Sequence, residues 1–294
     1  MVCCGLWASL RLLITGLGCG SDGTRVFKGS FQQRAVAVKR LVKDCVTLDT
    51  REVDILSKTD VHHPNVIRYI YHEVRTHFLY IAIELCSASL AQVIERPNDF
   101  TNIAFDPKRA LREITSGLRY LHALNIVHRD IKPQNIMVSR PENGQDHKML
   151  ISDFGLCRLL EGTHTSFMPT TMAAGTVGWR APEILRRLVP DTSQSSPGSA
   201  ATLNRSNTPP SGSKPMKLTR AVDIFALGCL YYYCLSRGHH PYGDEIQREH
   251  NIRKGIKGFE HLGPLSEEND EATDLIEGML NPRASLRYVK EPFL

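Results

Sequence analysis

"IVHRDIKPQNIMV", residues 126–138, holds a histidine, an arginine, an aspartate, a lysine and an asparagine within eight residues. Aliphatic residues flank this polar cluster on both sides. The simplest interpretation is a solvated turn without chemical function. A catalytic loop would need partner groups at defined places elsewhere in the chain, so the rest of the sequence decides between the two.

The composition is that of a folded chain with ample material for a core. The 294 residues are 41% hydrophobic and 23% charged, close to globular averages, and suit one large domain or two lobes. The net charge of +5 allows anionic ligands such as nucleotides but does not indicate a general nucleic-acid binder. Eight scattered cysteines without a C-x-x-C motif argue against a zinc site and favour a reducing compartment. Arg11 interrupts the apolar N-terminal run and no later run could span a bilayer, so we predict a soluble chain.

The hydrophobic pattern divides the chain into a β-rich first part and a helical second part. Short β-rich runs predict five strands, at 10–15, 24–31, 34–41, 65–73 and 78–85, with a helix at 49–59. Later, Asp106 is the expected N-cap of a helix that has Pro107 in its first position, and further helices are expected at about 218–236 and 267–280. We therefore predict an α+β, two-lobed architecture, with a lead-in at 1–9, an N-terminal lobe at 10–86 and a C-terminal lobe at 87–294.

The segment 189–217 departs from this pattern. It is rich in Ser, Thr, Pro, Gly and Asn and almost free of large apolar residues. Such a segment cannot bury enough surface to offset its ordering entropy, so we predict a disordered insertion in the second lobe.

Two features of the first lobe predict a phosphate-binding site. Gly18, Gly20 and Gly23 form a G-x-G-x-x-G between two predicted strands, where glycines let backbone amides close over phosphates. Taken alone, an ordinary glycine-rich hairpin is the better interpretation. Lys39, however, lies inside the apolar run "VAVK", where its charge needs a partner, and Glu52 is the expected one. A lysine held in this way can bind the α- and β-phosphates of a nucleotide.

The opening stretch supplies the matching chemistry. In H-R-D-x-K-x-x-N, Asp130 can accept the proton of an attacking hydroxyl, Lys132 can neutralise a transferring phosphoryl group, and Asn135 can ligate magnesium. Asp153 of "SDFG" adds a second oxygen ligand for a hard cation, and "APE" at 181–183 closes the segment. Five motifs in this order and spacing argue against the solvated turn.

Over almost its whole length the chain resembles a eukaryotic protein kinase. The lysine in "HRDIKPQN" is typical of serine/threonine kinases. The stretches "DVHHPNVIRYI", "FLYIAIELCSASLAQVIE", "MLISDFGLCRLL" and "GTVGWRAPEIL" resemble the inositol-requiring sensor kinase/endoribonucleases of the unfolded protein response, the fungal branch above all. The resemblance implies a two-lobed kinase fold, ATP and Mg²⁺ as substrate and cofactor, and trans-autophosphorylation in a dimer with another copy or a family member.

The resemblance also implies roles for individual residues. Nucleotide contacts are implied for Gly18, Gly20, Gly23, Val26, Ala37, Lys39, Glu52, Glu84, Cys86 and Asp153, with Ile83 as gatekeeper. His128 is expected to pack in the core, Asp223 to brace the catalytic loop through backbone amides, and Glu183 to pair with Arg287. Arg25 stands where the family has valine after the glycine-rich loop, which puts adenine packing in doubt, although Val26 is next to it.

The C-terminal stretch "RYVKEPFL" is shorter than the family's last helix, and the sequence stops where the nuclease extension of the family would begin. We therefore expect the kinase activity and no RNA cleavage from this chain. We expect it at the cytoplasmic face, associated with the endoplasmic reticulum membrane if it is a fragment of, or assembles with, a full-length relative. The alternative function is a nucleotide-sensing scaffold, in which dimerisation rather than phosphotransfer carries the signal.

A regulatory prediction concerns the segment between Asp153 and Glu183. It carries hydroxyls at Thr163, Thr165, Ser166, Thr170 and Thr171. A phosphate adds a charge of about −1.5 to −2, which can order a loop against an arginine such as Arg129. The alternative is that these are ordinary loop hydroxyls. We predict activating phosphorylation around Ser166, with Thr176 instead forming part of the substrate platform.

Overall fold

The computed structural model describes residues 10–19, 24–42, 62–141, 146–160, 175–188, 219–262 and 267–287. The predicted lead-in at 1–9, the helix at 49–59 and the insertion at 189–217 lie outside the described residues. Within the described residues no helix is both long enough and apolar enough to cross a bilayer.

The first lobe is built on an antiparallel five-stranded sheet, as predicted. Its strands are β1 (Leu10–Cys19), β2 (Arg25–Phe31), β3 (Arg34–Val42), β4 (Tyr69–Val74) and β5 (Phe78–Glu84), in the spatial order β1-β2-β3-β5-β4. Two predicted boundaries were wrong. The first strand runs on to Cys19 through two register shifts, and the fourth begins at Tyr69 rather than at residue 65.

The register of the sheet gives it two distinct faces, because side chains alternate along each strand. Val26 lies opposite Lys39, and Lys39 lies opposite Ile81, so these three share one face. The other face carries Val36, Val38, Tyr80 and Ala82, which pack with Leu10 in a separate apolar cluster. The face of Lys39 is the one that meets the second lobe, since Lys39 Nζ lies 2.7 Å from Asp153 Oδ1.

The second lobe is helical and holds the main core. Its helices are α1 (Leu90–Glu95), α2 (Pro107–Ala123), α3 (Pro182–Leu188), α4 (Ala221–Leu235), α5 (Arg248–Lys254) and α6 (Glu267–Met279). Helix α2 begins as predicted, with the Asp106 carboxylate accepting hydrogen bonds from the backbone N–H groups of Lys108 and Arg109. Nearly every side chain of α4 is buried, and α2 and α6 pack against this helix.

Short strands hold the loops between these helices. Strands β6 (Ala88–Ser89), β8 (Ile136–Val138) and β9 (Met149–Ile151) form one small sheet, and β7 (Ile126–Val127) pairs with β10 (Arg158–Leu159). The stretch 126–138 therefore begins and ends in β-structure, and its polar residues are confined to the loop between β7 and β8.

The loop before β4 makes close contacts with the second lobe through Asn65. The Asn65 carbonyl accepts a hydrogen bond from the Ile151 N–H at 2.9 Å, and its side-chain amide donates to the Met149 carbonyl at 3.1 Å. A Cβ on Gly117 of α2 would lie 2.5 Å from the same Asn65 carbonyl oxygen, so only glycine permits this approach.

Candidate active site

One buried carboxylate of α4 holds the loop after β7 through the loop's backbone. Asp223 of α4 is fully buried and accepts hydrogen bonds from the backbone N–H groups of His128 at 2.8 Å and Arg129 at 2.7 Å. His122 Nε2 lies 2.8 Å from the same carboxylate. Burial alone would raise the pKa of Asp223, but the hydrogen bond and charge of His122, together with the charge of His128 and the Arg129 N–H, hold that pKa below its usual value. The predicted bracing role of Asp223 agrees with this geometry.

His128 packs in the core, as expected. Its side chain is fully buried, its ring meets that of Phe154 edge-on at 5.4 Å, and its Nε2 lies 3.0 Å from the Ser152 carbonyl. Its Nδ1 accepts a hydrogen bond from the Asp130 N–H at 3.3 Å. The histidine thus fixes the backbone just before the reactive aspartate.

The loop brings Asp130, Lys132 and Asn135 together. The Asn135 side-chain amide donates to Asp130 Oδ2 at 2.8 Å, and Lys132 Nζ lies 2.9 Å from the same oxygen. On the other side, both the N–H and the hydroxyl of Thr176 donate to Asp130 Oδ1, at 3.0 and 2.7 Å. Lys132 also donates to the Thr176 hydroxyl. Asp130 is thereby oriented next to residues 175–180, which form the platform referred to below.

A second carboxylate reaches the site from the segment after β9. Asp153 Oδ1 lies 2.7 Å from Lys39 Nζ, an ion pair that joins the two lobes. Burial would raise the pKa of Asp153, but the charge and hydrogen bond of Lys39, together with the charges of His128 and Lys132, lower that pKa. Asp153 adopts a left-handed backbone conformation with φ 66°, while the next side chain, Phe154, is fully buried. The buried phenylalanine therefore turns the aspartate toward the cleft.

The sheet face that carries Lys39 also carries other residues for which the resemblance implies nucleotide contacts. Val26 shares the face of Lys39, and Ala37, two residues before Lys39 on the same strand, lies opposite the gatekeeper position Ile83. Arg25 points to the opposite face, since it lies opposite Arg40. Val26, and not Arg25, therefore lies on the face of Lys39, and its contact with a nucleotide stays a prediction.

The connection between the lobes begins at the end of β5. The Glu84 N–H donates to the Arg68 carbonyl at 2.9 Å, and its carboxylate lies 3.4 Å from the Arg68 N–H, so this side chain turns away from the cleft. The resemblance implies that backbone groups of Glu84 and Cys86 contact the nucleotide, and in the structure the Cys86 thiol donates to the Glu84 carbonyl at 3.8 Å. Burial, followed by the charge of Glu84, raises the pKa of the Cys86 thiol to about 12, so this cysteine is a neutral contact rather than a nucleophile.

Two side chains fit a hard divalent cation. Asn135 donates through its amide nitrogen, which leaves its carbonyl oxygen as a ligand. Asp153 uses Oδ1 for Lys39, and its side chain is 41% exposed, which leaves Oδ2 accessible. Magnesium is typically bound by one or two protein oxygens together with substrate phosphates, so this donor set suits Mg²⁺.

A buried ion pair anchors the segment that carries the platform. Both guanidinium Nη atoms of Arg287 donate to the Glu183 carboxylate at 2.7 Å, and Nη1 also donates to the Ala221 carbonyl at 2.8 Å. This pair, predicted from the resemblance, ties the start of α3 to the start of α4. It is structural, because both side chains are buried and bind each other.

Some predicted site residues lie outside the described residues, namely Gly20, Gly23, Glu52, Thr163, Thr165, Ser166, Thr170 and Thr171. Gly18 is described and lies within β1, opposite Val26. Sequence reasoning missed the Lys39–Asp153 pair, since it sought the lysine's partner in Glu52 only. It also missed the contact of Thr176 with Asp130, for which a threonine directly after a glycine near the end of the segment is the only local signal.

The fold and site together are those of a protein kinase. A family model described as "Protein kinase domain" matches residues 13–201. The chain therefore belongs to the protein kinase family.

Its curated relatives are serine/threonine-protein kinases, which confirms the predicted class. The chain is 45% identical to the serine/threonine-protein kinase/endoribonuclease ireA of Aspergillus fumigatus, over 92% of this chain and 24% of that protein. It is 42% identical to the human serine/threonine-protein kinase/endoribonuclease IRE2, over 90% of this chain and 26% of that protein. It is 39% identical to the Schizosaccharomyces pombe "Sensor for unfolded proteins in the ER ire1", over 97% and 26%. The chain thus spans about a quarter of the length of these relatives.

Proposed function

We propose that this chain is the kinase part of an unfolded-protein sensor and transfers the γ-phosphoryl group of ATP to serine or threonine residues of a second copy of itself. The observation that carries the proposal is the convergence of Asp130, Lys132 and Asn135 with the Lys39–Asp153 pair that joins the lobes. The names of the relatives support the sensor role. We propose that the chain acts at the cytoplasmic face, associated with the endoplasmic reticulum membrane if it is a fragment of, or assembles with, a full-length relative.

Each residue has a definite part in this reaction. Asp130 orients the attacking hydroxyl and accepts its proton, and Lys132, 2.9 Å from that carboxylate, neutralises charge on the phosphoryl group in transit. Lys39 binds the α- and β-phosphates of ATP, and its ion pair with Asp153 positions it for this contact. When bound by Asn135 and Asp153, Mg²⁺ supplies charge neutralisation on the phosphates. Phosphotransfer here is mostly positioning and electrostatic stabilisation, which this arrangement supports.

The scaffold alternative is not favoured. A protein that only sensed nucleotide would need the Lys39–Asp153 contact, but it would have no need for Asp130 to be held by Asn135, Lys132 and the Thr176 platform at once. The relatives' names also describe kinases.

Transfer between copies is tested with two tagged forms of different size. Active protein is mixed with an excess of the Asp130→Asn variant, with Mg²⁺ and labelled ATP, and both are separated by mass. We expect label on Ser or Thr of the inactive form, at a rate that rises with the concentration of active protein, and no label on the inactive form alone. Label confined to the active form, with a rate per molecule that is independent of dilution, would refute transfer in trans.

The regulatory prediction becomes part of this proposal. Arg129 is 8% exposed, its N–H is anchored by Asp223, and its guanidinium donates to the Leu156 carbonyl at 3.2 Å, at the start of the activation segment. We infer that phosphate on residues 163–171 pairs with Arg129 and activates the kinase. Mass spectrometry after incubation with ATP should find phosphate there, and Arg129→Ala should remove the activation that it confers. Phosphate confined to 189–217 would rule this mechanism out.

A further inference from the structure

An arginine that the proposed reaction does not use lies against the platform. Arg248, the first residue of α5, lies against Gly178, three residues after Gly175. A Cβ on Gly178 would stand 2.6 Å from Arg248 Cδ and 3.4 Å from its Nη1. Gly178 also has φ +82°, a conformation that favours glycine. The Arg248 side chain therefore packs against Gly178, with its Cδ closest, and leaves no room there for a Cβ.

This arginine is within reach of a peptide bound at the active site. Thr176 hydrogen-bonds to Asp130 through both its N–H and its hydroxyl, and the Trp179 N–H closes a tight turn onto the Thr176 carbonyl at 3.1 Å. Two residues separate by at most about 7 Å along the chain, so Gly178 stays close to the catalytic carboxylate. A side chain a few residues from the phosphoacceptor can therefore meet Arg248.

The charge of Arg248 is not matched by a carboxylate in contact. Its Nε donates to the Gly243 carbonyl at 3.2 Å, and among the residues that the structure describes it makes no ion pair within 4.0 Å. The adjacent platform arginine, Arg180, is by contrast paired with Glu249 at 3.1 Å. The exposed carboxylates of Asp244 and Glu245 act on Arg248 only from a distance.

The surroundings of Arg248 show that this charge lies in a partly dry environment. Burial lowers the pKa of Arg248, although Glu245 and Asp244 counteract it. Burial, together with the charge of Arg248, also lowers the pKa of His240 well below its usual value, and His240 packs on Trp179 of the platform at 4.9 Å. A guanidinium that is half-desolvated and lacks a contacting anion gains more from binding one than a fully hydrated cation would.

We propose that Arg248 is a specificity-determining residue that selects substrates with an anionic side chain, Asp, Glu or a phosphorylated residue, at one position flanking the acceptor Ser or Thr. This inference rests on the proposed kinase function. It concerns only which serine or threonine is chosen, and no group at the reacting phosphoryl changes.

A peptide panel tests the proposal. Each peptide has one acceptor serine in an alanine background, with a single aspartate placed in turn at every flanking position. The measured quantity is the ratio of kcat/KM for each acidic peptide to that of the all-alanine peptide. Differences between preparations in the fraction of active enzyme cancel in this ratio. We expect one position to give a ratio of about ten, equivalent to about 1.4 kcal/mol, and the ratio to fall as salt is raised.

Variants assign the preference to this side chain. Arg248→Met keeps the aliphatic contact with Gly178 and should bring the ratio to about one, Arg248→Lys should keep part of it, and Arg248→Glu should favour lysine at the same position. The matched control is Arg253→Met, on the same helix but 4.0 Å from Glu249, which should keep the full ratio. Equal ratios at all positions, or a preference that survives Arg248→Met, would overturn the inference. Failure to phosphorylate any peptide, the all-alanine one included, would instead overturn the kinase function on which it rests.

Discussion

Replacing Asp223 by asparagine tests how the catalytic loop is held. The carboxylate is fully buried and accepts from the N–H groups of His128 and Arg129 and from His122, at 2.7 to 2.8 Å. An asparagine oxygen can keep the contacts made by one carboxylate oxygen. Its NH₂ group then faces the N–H of Arg129, and two donors cannot hydrogen-bond to each other. Because hydrogen bonds to charged groups contribute about 1.5 to 3 kcal/mol each, we expect Asp223→Asn to lower the free energy of unfolding by about 3 kcal/mol.

Activity should fall with stability, since the released amide belongs to Arg129, next to Asp130. Arg129 has φ 71°, an unfavourable conformation that the Asp223 contact maintains. A shift of about 1 Å at a catalytic group can cost about 100-fold, so kcat should fall by about that factor, with a much smaller change in KM for ATP. The melting temperature should fall by about 6 to 12 °C. Asp99→Asn is the control, because that carboxylate is 61% exposed and makes only a long ion pair, 3.9 Å, with Arg96. This substitution should change the free energy of unfolding by less than about 0.5 kcal/mol.

The pH dependence has a definite sign. The pKa of Asp223 is lowered in the folded state, so its stabilising contribution is fully present above the unfolded value of about 3.9 and is lost as pH falls through the lower folded value. The difference in melting temperature between wild type and Asp223→Asn should therefore persist above about pH 5 and close only in stronger acid. A variant with wild-type melting temperature and kcat, or a gap that closes near neutrality, would refute this reasoning.

Three further perturbations test other parts of the molecule. Glu183→Gln leaves the buried Arg287 without its counter-charge and should cost about 3 to 5 kcal/mol in urea denaturation, well above Glu249→Gln, whose partner pair is more exposed; equal losses would contradict this. Gly117→Ala places a Cβ 2.5 Å from the Asn65 carbonyl oxygen and should lower the free energy of unfolding by about 1 to 3 kcal/mol. An unchanged denaturation midpoint would mean that the contact between Gly117 and Asn65 is loose. Mg²⁺–ATP at about a hundred times its Kd should stabilise the wild type by about 2.7 kcal/mol in a thermal melt, and Lys39→Met, which removes the charge beside Asp153, should need more ATP for the same shift; identical titrations would contradict the role of Lys39.

Most of the fold could be predicted because its signals are local. The Asp106 cap and the spacing of apolar residues define α2, and the loop between two apolar anchors defines the position of Asp130. Which side chains of β2 lie on which face of the sheet could not be predicted. It is set by a two-residue hairpin turn at Gln32 and Gln33, both with positive φ, and a Gln-Gln pair lacks the Asn-Gly or Asp-Gly signature of such turns.

Long-range contacts of the site left no local signal. The Lys39–Asp153 pair joins residues 114 apart in sequence, and the Asp130–Thr176 contact joins residues 46 apart. Motif order indicated that these residues belong to one site, but only tertiary packing decides which carboxylate lies next to which cation. The arrangement around Arg248 was missed for the same reason, since it depends on a helix that packs on a glycine 70 residues earlier.

The central claim is that the cluster around Asp130 performs phosphotransfer from ATP to protein. The most direct measurement is incorporation of label from γ-labelled ATP with Mg²⁺ by the purified chain, compared with Asp130→Asn at equal concentration and with equal melting behaviour. We predict label on serine and threonine in the wild type and a loss of about 100-fold or more in the variant, within the range expected for a positioned general base. Undiminished label in Asp130→Asn would contradict the account.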